Sequence, residues 1–150
     1  TTFRQETVDW LRNEALKTEM AVLFLAHIPT RPEWGYHNDI VNGDQIESVI
    51  KEFIDDGGTI IAFIHGHVHG DMICPVTDDQ GETMYDEVAI GCARFQEPAW
   101  GDATPDITYQ KRSEEDETML LFDIIAIDQT NKIVQFTRFG AGEDRKISYR

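Results

Sequence analysis

Positive charge is scarce in this sequence. Lys and Arg number 13 against 28 Asp and Glu, a formal net charge of −15. A surface that acidic repels phosphate backbones, which excludes a broad nucleic-acid footprint. It leaves room for a small phosphorylated ligand where bound cations reverse the local field. Long apolar runs are also missing. None approaches the roughly 18 residues of a membrane span, so no membrane partner is expected. Cysteine is limited to Cys74 and Cys92, both in apolar, strand-like stretches and neither in a C-x-x-C. They read as two buried thiols, and they leave the compartment open, with the cytoplasm slightly favoured. The sequence starts at Thr1 with no Met and no signal-like segment of its own, as expected of a processed product or a piece of a longer polypeptide.

What remains is ordinary for one soluble domain. The 150 residues are 41% hydrophobic and 27% charged, enough for one core. Thr2-x-x-Gln5 has the form of a capping box, and Val8, Leu11 and Ala15 follow at helical spacing, predicting a helix over 3–18. "MAVLFLA" at 20–26 is continuously apolar, the pattern of a strand covered on both faces. "IPTRPEWGYHNDIVNG" reads as a long loop. Asp44-x-x-Glu47 suggests a second capping box. Ile46, Val49, Ile50, Phe53 and Ile54 then mark one helix face, stopped by "DGG". "TIIAFI" at 59–64 is a second doubly apolar strand. Strand, helix, strand makes a βαβ unit with parallel strands.

The rest changes character. "DMICPVT", "ETMYDEVAIGCARF", "TMLLFDIIAID" and "KIVQFTRFG" predict an antiparallel meander beside the βαβ unit, an α/β fold overall. The polar stretch at 96–117 reads as a mobile insertion rather than an active-site lid, although Trp100 and Tyr109 give it some adhesive surface.

Histidine is rare too, five in all, yet His65, His67 and His69 fall within "IHGHVHGD". They follow the second strand directly, and His27 follows the first. Ligands of open α/β sheets bind at that end of the strands. Gly66 and Gly70 are expected to permit a tight turn that aims His67 and His69 at one point. Neutral imidazole is a common ligand of Zn, Fe, Ni and Cu, so His27, His67 and His69 are the metal-site candidates. His65 precedes the turn and reads as structural or as an orienting neighbour. His37 and Tyr36, in "EWGYHND", are weak candidates for lining a substrate site.

"LFLAHIP" followed by "AFIHGHVHGD" resembles the last two motif blocks of the calcineurin-like metallophosphoesterases. The resemblance implies the C-terminal half of an α/β/β/α sandwich with a two-metal centre of Mn, Fe or Zn that hydrolyses a small phosphorylated substrate. It implies that His27 and His67 serve one metal and His69 the other. The helix "VDWLRNEA" and the ending "TRFGAGEDR" are also similar to family members.

The family's earlier Asp-x-His, Gly-Asp and Gly-Asn-His blocks do not occur before His27. Three neutral histidines leave two divalent cations without balancing charge. Asp39, Asp44 and Asp71 are available, but none has the bridging spacing. The chain is therefore expected to partner a missing N-terminal half, or to form a homodimer through uncovered sheet surface. Two other readings stand beside this one: a mononuclear His₃ metal hydrolase, and a non-catalytic metal-binding domain.

Overall fold

The computed structural model describes residues 1–32, 40–93 and 107–150. Tyr36, His37, Asp39 and Trp100 lie outside the described residues.

The first helix, α1 (Gln5–Trp10), runs on into a π-helical turn at Leu11–Ala15, closed by the Leu16 N–H on the Leu11 carbonyl at 3.1 Å. Val8, Leu11 and Leu16 are its buried side. Helix α2 (Gly43–Asp55) buries Ile46, Val49, Ile50 and Phe53, the stripe expected from spacing. Each such side chain contributes roughly 1.5–3 kcal/mol on burial. The chain leaves α2 through Gly57 at φ 90°, and the Gly58 N–H closes back on the Phe53 carbonyl at 2.9 Å.

Neither expected capping box forms, because the side chains have other partners. Gln5 Nε2 donates to Asp9 Oδ1 at 3.0 Å. Asn42, just before α2, accepts from the Phe3 N–H at 2.9 Å and donates to the Phe3 carbonyl at 3.0 Å. Glu47 turns to Thr30 and Arg31. Asn42 thereby ties the two helix starts together.

The strands β1 (Val22–Leu25), β2 (Ile60–His65), β3 (Asp71–Thr77) and β4 (Thr83–Ile90) form one sheet in the order β1-β2-β4-β3. β1 and β2 are parallel, which with α2 makes the βαβ unit. β4 is parallel to β2, and β3 lies antiparallel to β4. A second, antiparallel sheet holds β5 (Leu121–Asp128), β6 (Ile133–Gly140) and β7 (Arg145–Ser148). The fold is thus the expected α/β class, with the later strands divided between two sheets. The division follows from β4. Its Tyr85 and Ala89 pack with the helices while Val88 packs against the second sheet, so β4 must lie between layers.

Two cores result, in a helix–sheet–sheet order. Ile60 and Phe63 of β2 meet α1 and α2, whereas Ala62 and Ile64 meet Val134, Phe136 and Ile147. β2 is buried along its whole length, as its composition predicts. β1 is not. It is an edge strand whose Leu25 is 72% exposed, so its apolar run is covered less than expected. Pro75 sits in the other edge strand, β3, where a missing N–H is tolerated. Cys74 and Cys92 are half-buried and not joined in a disulfide. Among the described residues no helix is long and apolar enough to cross a membrane.

A buried ionic unit fastens β3 to the second sheet. Arg138 Nη1 and Nη2 donate to Asp71 at 2.9 and 2.8 Å, and its Nε donates to Asp123 at 2.7 Å. Arg145 Nη2 donates to Asp123 at 2.7 Å and its Nη1 to the Ala89 carbonyl at 2.9 Å. Gln110 Nε2 adds a bond to Asp71 at 3.0 Å. Burial alone would lower the Arg138 pKa, but its bonds to Asp71 and Asp123 outweigh this and raise it. Both Asp71 oxygens are therefore committed, which removes Asp71 from the candidate metal ligands.

The described end of the long polar stretch is tied down rather than loose. Thr108 and Asp71 exchange two backbone bonds of 2.8 Å. Arg112 donates to the carbonyls of Cys92, Thr118 and Met119. Residues 107–117 thus carry backbone pairing and a multiply bonded guanidinium, and residues 96–106 lie outside the described residues.

Asp123, 1% exposed in its side chain, neutralises two guanidinium groups at once. Asp123→Ala should cost about 3–5 kcal/mol, the usual penalty for stranding a buried charge. Urea unfolding monitored by circular dichroism measures this directly.

Candidate metal centre

β1 and β2 end side by side, and their pairing continues into the rim. The Ala26 N–H donates to the Ile64 carbonyl at 2.9 Å, and the Gly66 N–H donates to the His27 carbonyl at 3.2 Å. That register brings His27 and His67 together. His27 Nε2 and His67 Nδ1 are 3.4 Å apart, with ring planes at 82°. Metal–nitrogen bonds are about 2.0–2.1 Å, so two nitrogens at that separation subtend about 110° at a shared ion, close to the tetrahedral angle. That separation is compatible with one cation shared by the two rings. His27 is exposed and His67 half-buried, so the site opens to solvent.

His69 is half-buried, and burial lowers its pKa first, with the charges of His67 and His27 adding to the effect. It is electrostatically coupled to the pair. Among the described residues, however, no three His, Cys, Asp or Glu side chains gather around one point. Asp44 is exposed on the first turn of α2.

The loop geometry departs from expectation. The left-handed residues are the histidines themselves, His67 at φ 65° and His69 at φ 56°, and neither Gly66 nor Gly70 has positive φ. The Val68 N–H reaches the Gly66 carbonyl at 2.7 Å, making His67 the centre of a γ-turn in its rarer, strained form. Val68 is buried at 2% and anchors the loop in the helix-side core. Gly70 is required for space, since a Cβ there would lie 2.4 Å from Ile107 Cγ2 and 3.1 Å from the Thr108 carbonyl oxygen. At Gly66 a Cβ would meet nothing closer than 3.8 Å.

Next to β2, on β4 and the residues after His27, lies a polar chain that sequence patterns did not single out. Glu87 of β4 is fully buried. Its Oε1 accepts the Thr30 N–H at 2.8 Å, and its Oε2 lies 2.7 Å from Thr30 Oγ1. Thr30 Oγ1 is also 2.8 Å from Glu47 Oε1, which accepts from Arg31 Nε at 2.9 Å. One hydroxyl proton cannot serve two carboxylates, so one carboxyl carries its own. Glu47 has the arginine and partial exposure, and Glu87 has neither. Glu87 is the member that takes up a proton more readily, and when it does so it donates to Thr30 while Thr30 donates to Glu47. Burial agrees, pushing Glu87 up to about 7 against the lowering effect of the Thr30 bonds.

His65 completes this chain. Its Nδ1 lies 2.9 Å from the Gly66 carbonyl, which assigns the proton to Nδ1 and leaves Nε2 bare, 3.7 Å from Glu87 Oε1. Burial lowers His65 to about 4, with its backbone bond to Gly66 opposing. With His65 neutral above that value, the His65–Glu87 contact is not a salt bridge. The orienting role considered for His65 is compatible with this placement, since Gly66 links it directly to His67. A carboxylate at an inward position between Tyr85 and Ala89 was the available signal for Glu87.

The linkage has a definite sign. Glu87 is raised in the folded state, so its protonated form stabilises the fold fully below the unfolded value of about 4.5, and this contribution disappears as pH rises through about 7. Relative to Glu87→Gln, which cannot ionise, the wild type should lose stability across that window, by a few kcal/mol in total. Paired chemical-denaturation curves at stepwise pH test this, and a constant wild-type–variant difference would refute the protonated assignment.

A scan against protein-family models finds no match for this chain, and no curated protein matches it either.

Proposed function

We propose that this chain supplies the histidine side of a two-metal phosphoesterase centre acting on a small phosphorylated substrate. The observation that carries the reading is the 3.4 Å approach of His27 Nε2 and His67 Nδ1 at the ends of two parallel strands. These rings hold one cation, and His69 contributes to a second. A pair of Mn, Fe or Zn ions would generate a nucleophilic water at neutral pH and neutralise charge on the phosphoryl oxygens. The chain's own residues hold and orient: His27 and His67 donate nitrogen lone pairs, and the strained loop fixes His67 before any ligand arrives.

Among the described residues, no carboxylate is placed to balance two dications. Asp71 is bound to Arg138, and Asp44 is exposed on α2. We assign the missing ligands to a further polypeptide segment that completes the domain. That segment would also cover the apolar surface left open at the β1 edge and on the outer side of β5 and β6, where Phe122, Ile124 and Phe139 are exposed. Without it, the chain is expected to pair with a second copy. A His₃ site on a single ion has less support, since only two rings come together among the described residues.

Calorimetric titration with Zn²⁺ should show binding by the wild type and a loss of more than about 10-fold for His67→Asn, a residue that keeps the left-handed backbone. Residues 1–150 alone should hydrolyse p-nitrophenyl phosphate esters very slowly with Mn²⁺ or Zn²⁺. Rapid turnover abolished by His67→Asn would favour a self-contained site. Sedimentation should show self-association that grows with salt as the −15 charge is screened, whereas a clean monomer at high salt would count against the open-surface reading.

A further inference from the structure

The His27 turn is short, running from the end of β1 to Thr30. At its start, the Gly66 N–H bonds the His27 carbonyl at 3.2 Å and the His27 and His67 rings meet at 3.4 Å. At its end stands Thr30, fully buried, with its N–H and hydroxyl both engaged by Glu87 and its hydroxyl also by Glu47. Helix α2 presses on the same residue. A Cβ at Gly43 would lie 1.5 Å from the Thr30 carbonyl oxygen, so only glycine permits this approach. Glu87 in turn belongs to β4, whose Glu87 and Ala89 pair with Phe63 and His65 of β2. One carboxyl group thus touches the turn that carries His27 and lies beside the strand that leads into His67.

We propose that Glu87 is a positioning residue for the His27–His67 pair, acting through Thr30. The inference rests on the metal-centre reading and deepens it by naming what sets the separation of the two nitrogens. Glu87 offers an oxygen acceptor to the Thr30 N–H and a proton donor to Thr30 Oγ1. Glutamine offers the same two functions in the same shape, with its amide oxygen accepting and its amide N–H donating. Leucine offers neither. Thr30→Val keeps the backbone donor and the side-chain volume but removes the hydroxyl that links Glu87 to Glu47. Groups that orient metal ligands without touching the metal are commonly worth 10–100-fold in affinity.

The test is Zn²⁺ titration of the full chain as wild type, Glu87→Gln, Glu87→Leu and Thr30→Val, each with a circular-dichroism spectrum to establish folding. A second readout is the proton–proton Overhauser effect between the His27 and His67 rings in the metal-free protein. Glu87→Gln should bind within a few-fold of wild type and retain the ring contact. Glu87→Leu and Thr30→Val should bind about 10–100-fold more weakly and lose it. If Glu87→Leu does not fold, Thr30→Val carries the test. Wild-type affinity and ring contact in folded Thr30→Val would overturn the proposal, as would a Glu87→Gln variant as weak as Glu87→Leu. If the wild type itself fails to bind Zn²⁺, the metal-centre reading falls, while the ring contact still decides whether Glu87 sets the pair.

Discussion

Arg138 holds this molecule together. Its guanidinium stands between the two sheets, bonded to Asp71 at the start of β3 and to Asp123 of β5. Arg145 and Gln110 close the remaining sides of the two carboxylates. Buried charges in this number are tolerated only because every carboxylate oxygen has a donor. The position of the unit matters as much as its strength. Asp71 directly follows the histidine loop, so the loop is held at its far end by the second sheet and at its near end by β2. A reader of the first sheet alone would find the His67–His69 segment tethered on one side only.

The site is built in a complementary way from polar groups. Glu87, Thr30 and His65 are all buried. They are arranged so that one proton on Glu87 satisfies a hydroxyl with two acceptors around it. An ionised Glu87 facing the bare nitrogen of His65 would be repelled, so the tautomer and the protonation state support each other. The chain therefore separates two tasks. Paired charges join the sheets, and a polar chain lies next to the rim that carries His27 and His67.

Much of the rim was legible from local pattern. "MAVLFLA" and "TIIAFI" are long enough and apolar enough to mark two parallel strands, and a histidine directly after each must emerge at the same end. What escaped was long-range. Thr30 and Glu87 are 57 positions apart, and Asp71 and Arg138 are 67 apart. Nothing in a local window announces such partners. Both capping boxes misled because Gln5 and Glu47 found other partners, and a local motif yields when a tertiary contact competes for the same side chain. The glycines around the histidines were singled out for the wrong reason. Their role lies in close approach at Gly70, and the unusual backbone belongs to His67 and His69. Period-two alternation did contain a clue, since Glu87 shares the face of Tyr85 and Ala89, two core residues.

Left-handed backbone at two non-glycine residues carries a cost of order 1–3 kcal/mol each. Set against a net stability of roughly 5–15 kcal/mol for a whole domain, that is a substantial fraction. A population of this sequence selected for thermal resistance alone would drift to glycine or asparagine at 67 and 69, since either residue relaxes the turn. Selection that also demanded the chemistry of the rim would hold both histidines in place. The two positions would then separate lineages that keep the chemistry from lineages that keep only the fold, more sharply than any residue of the core.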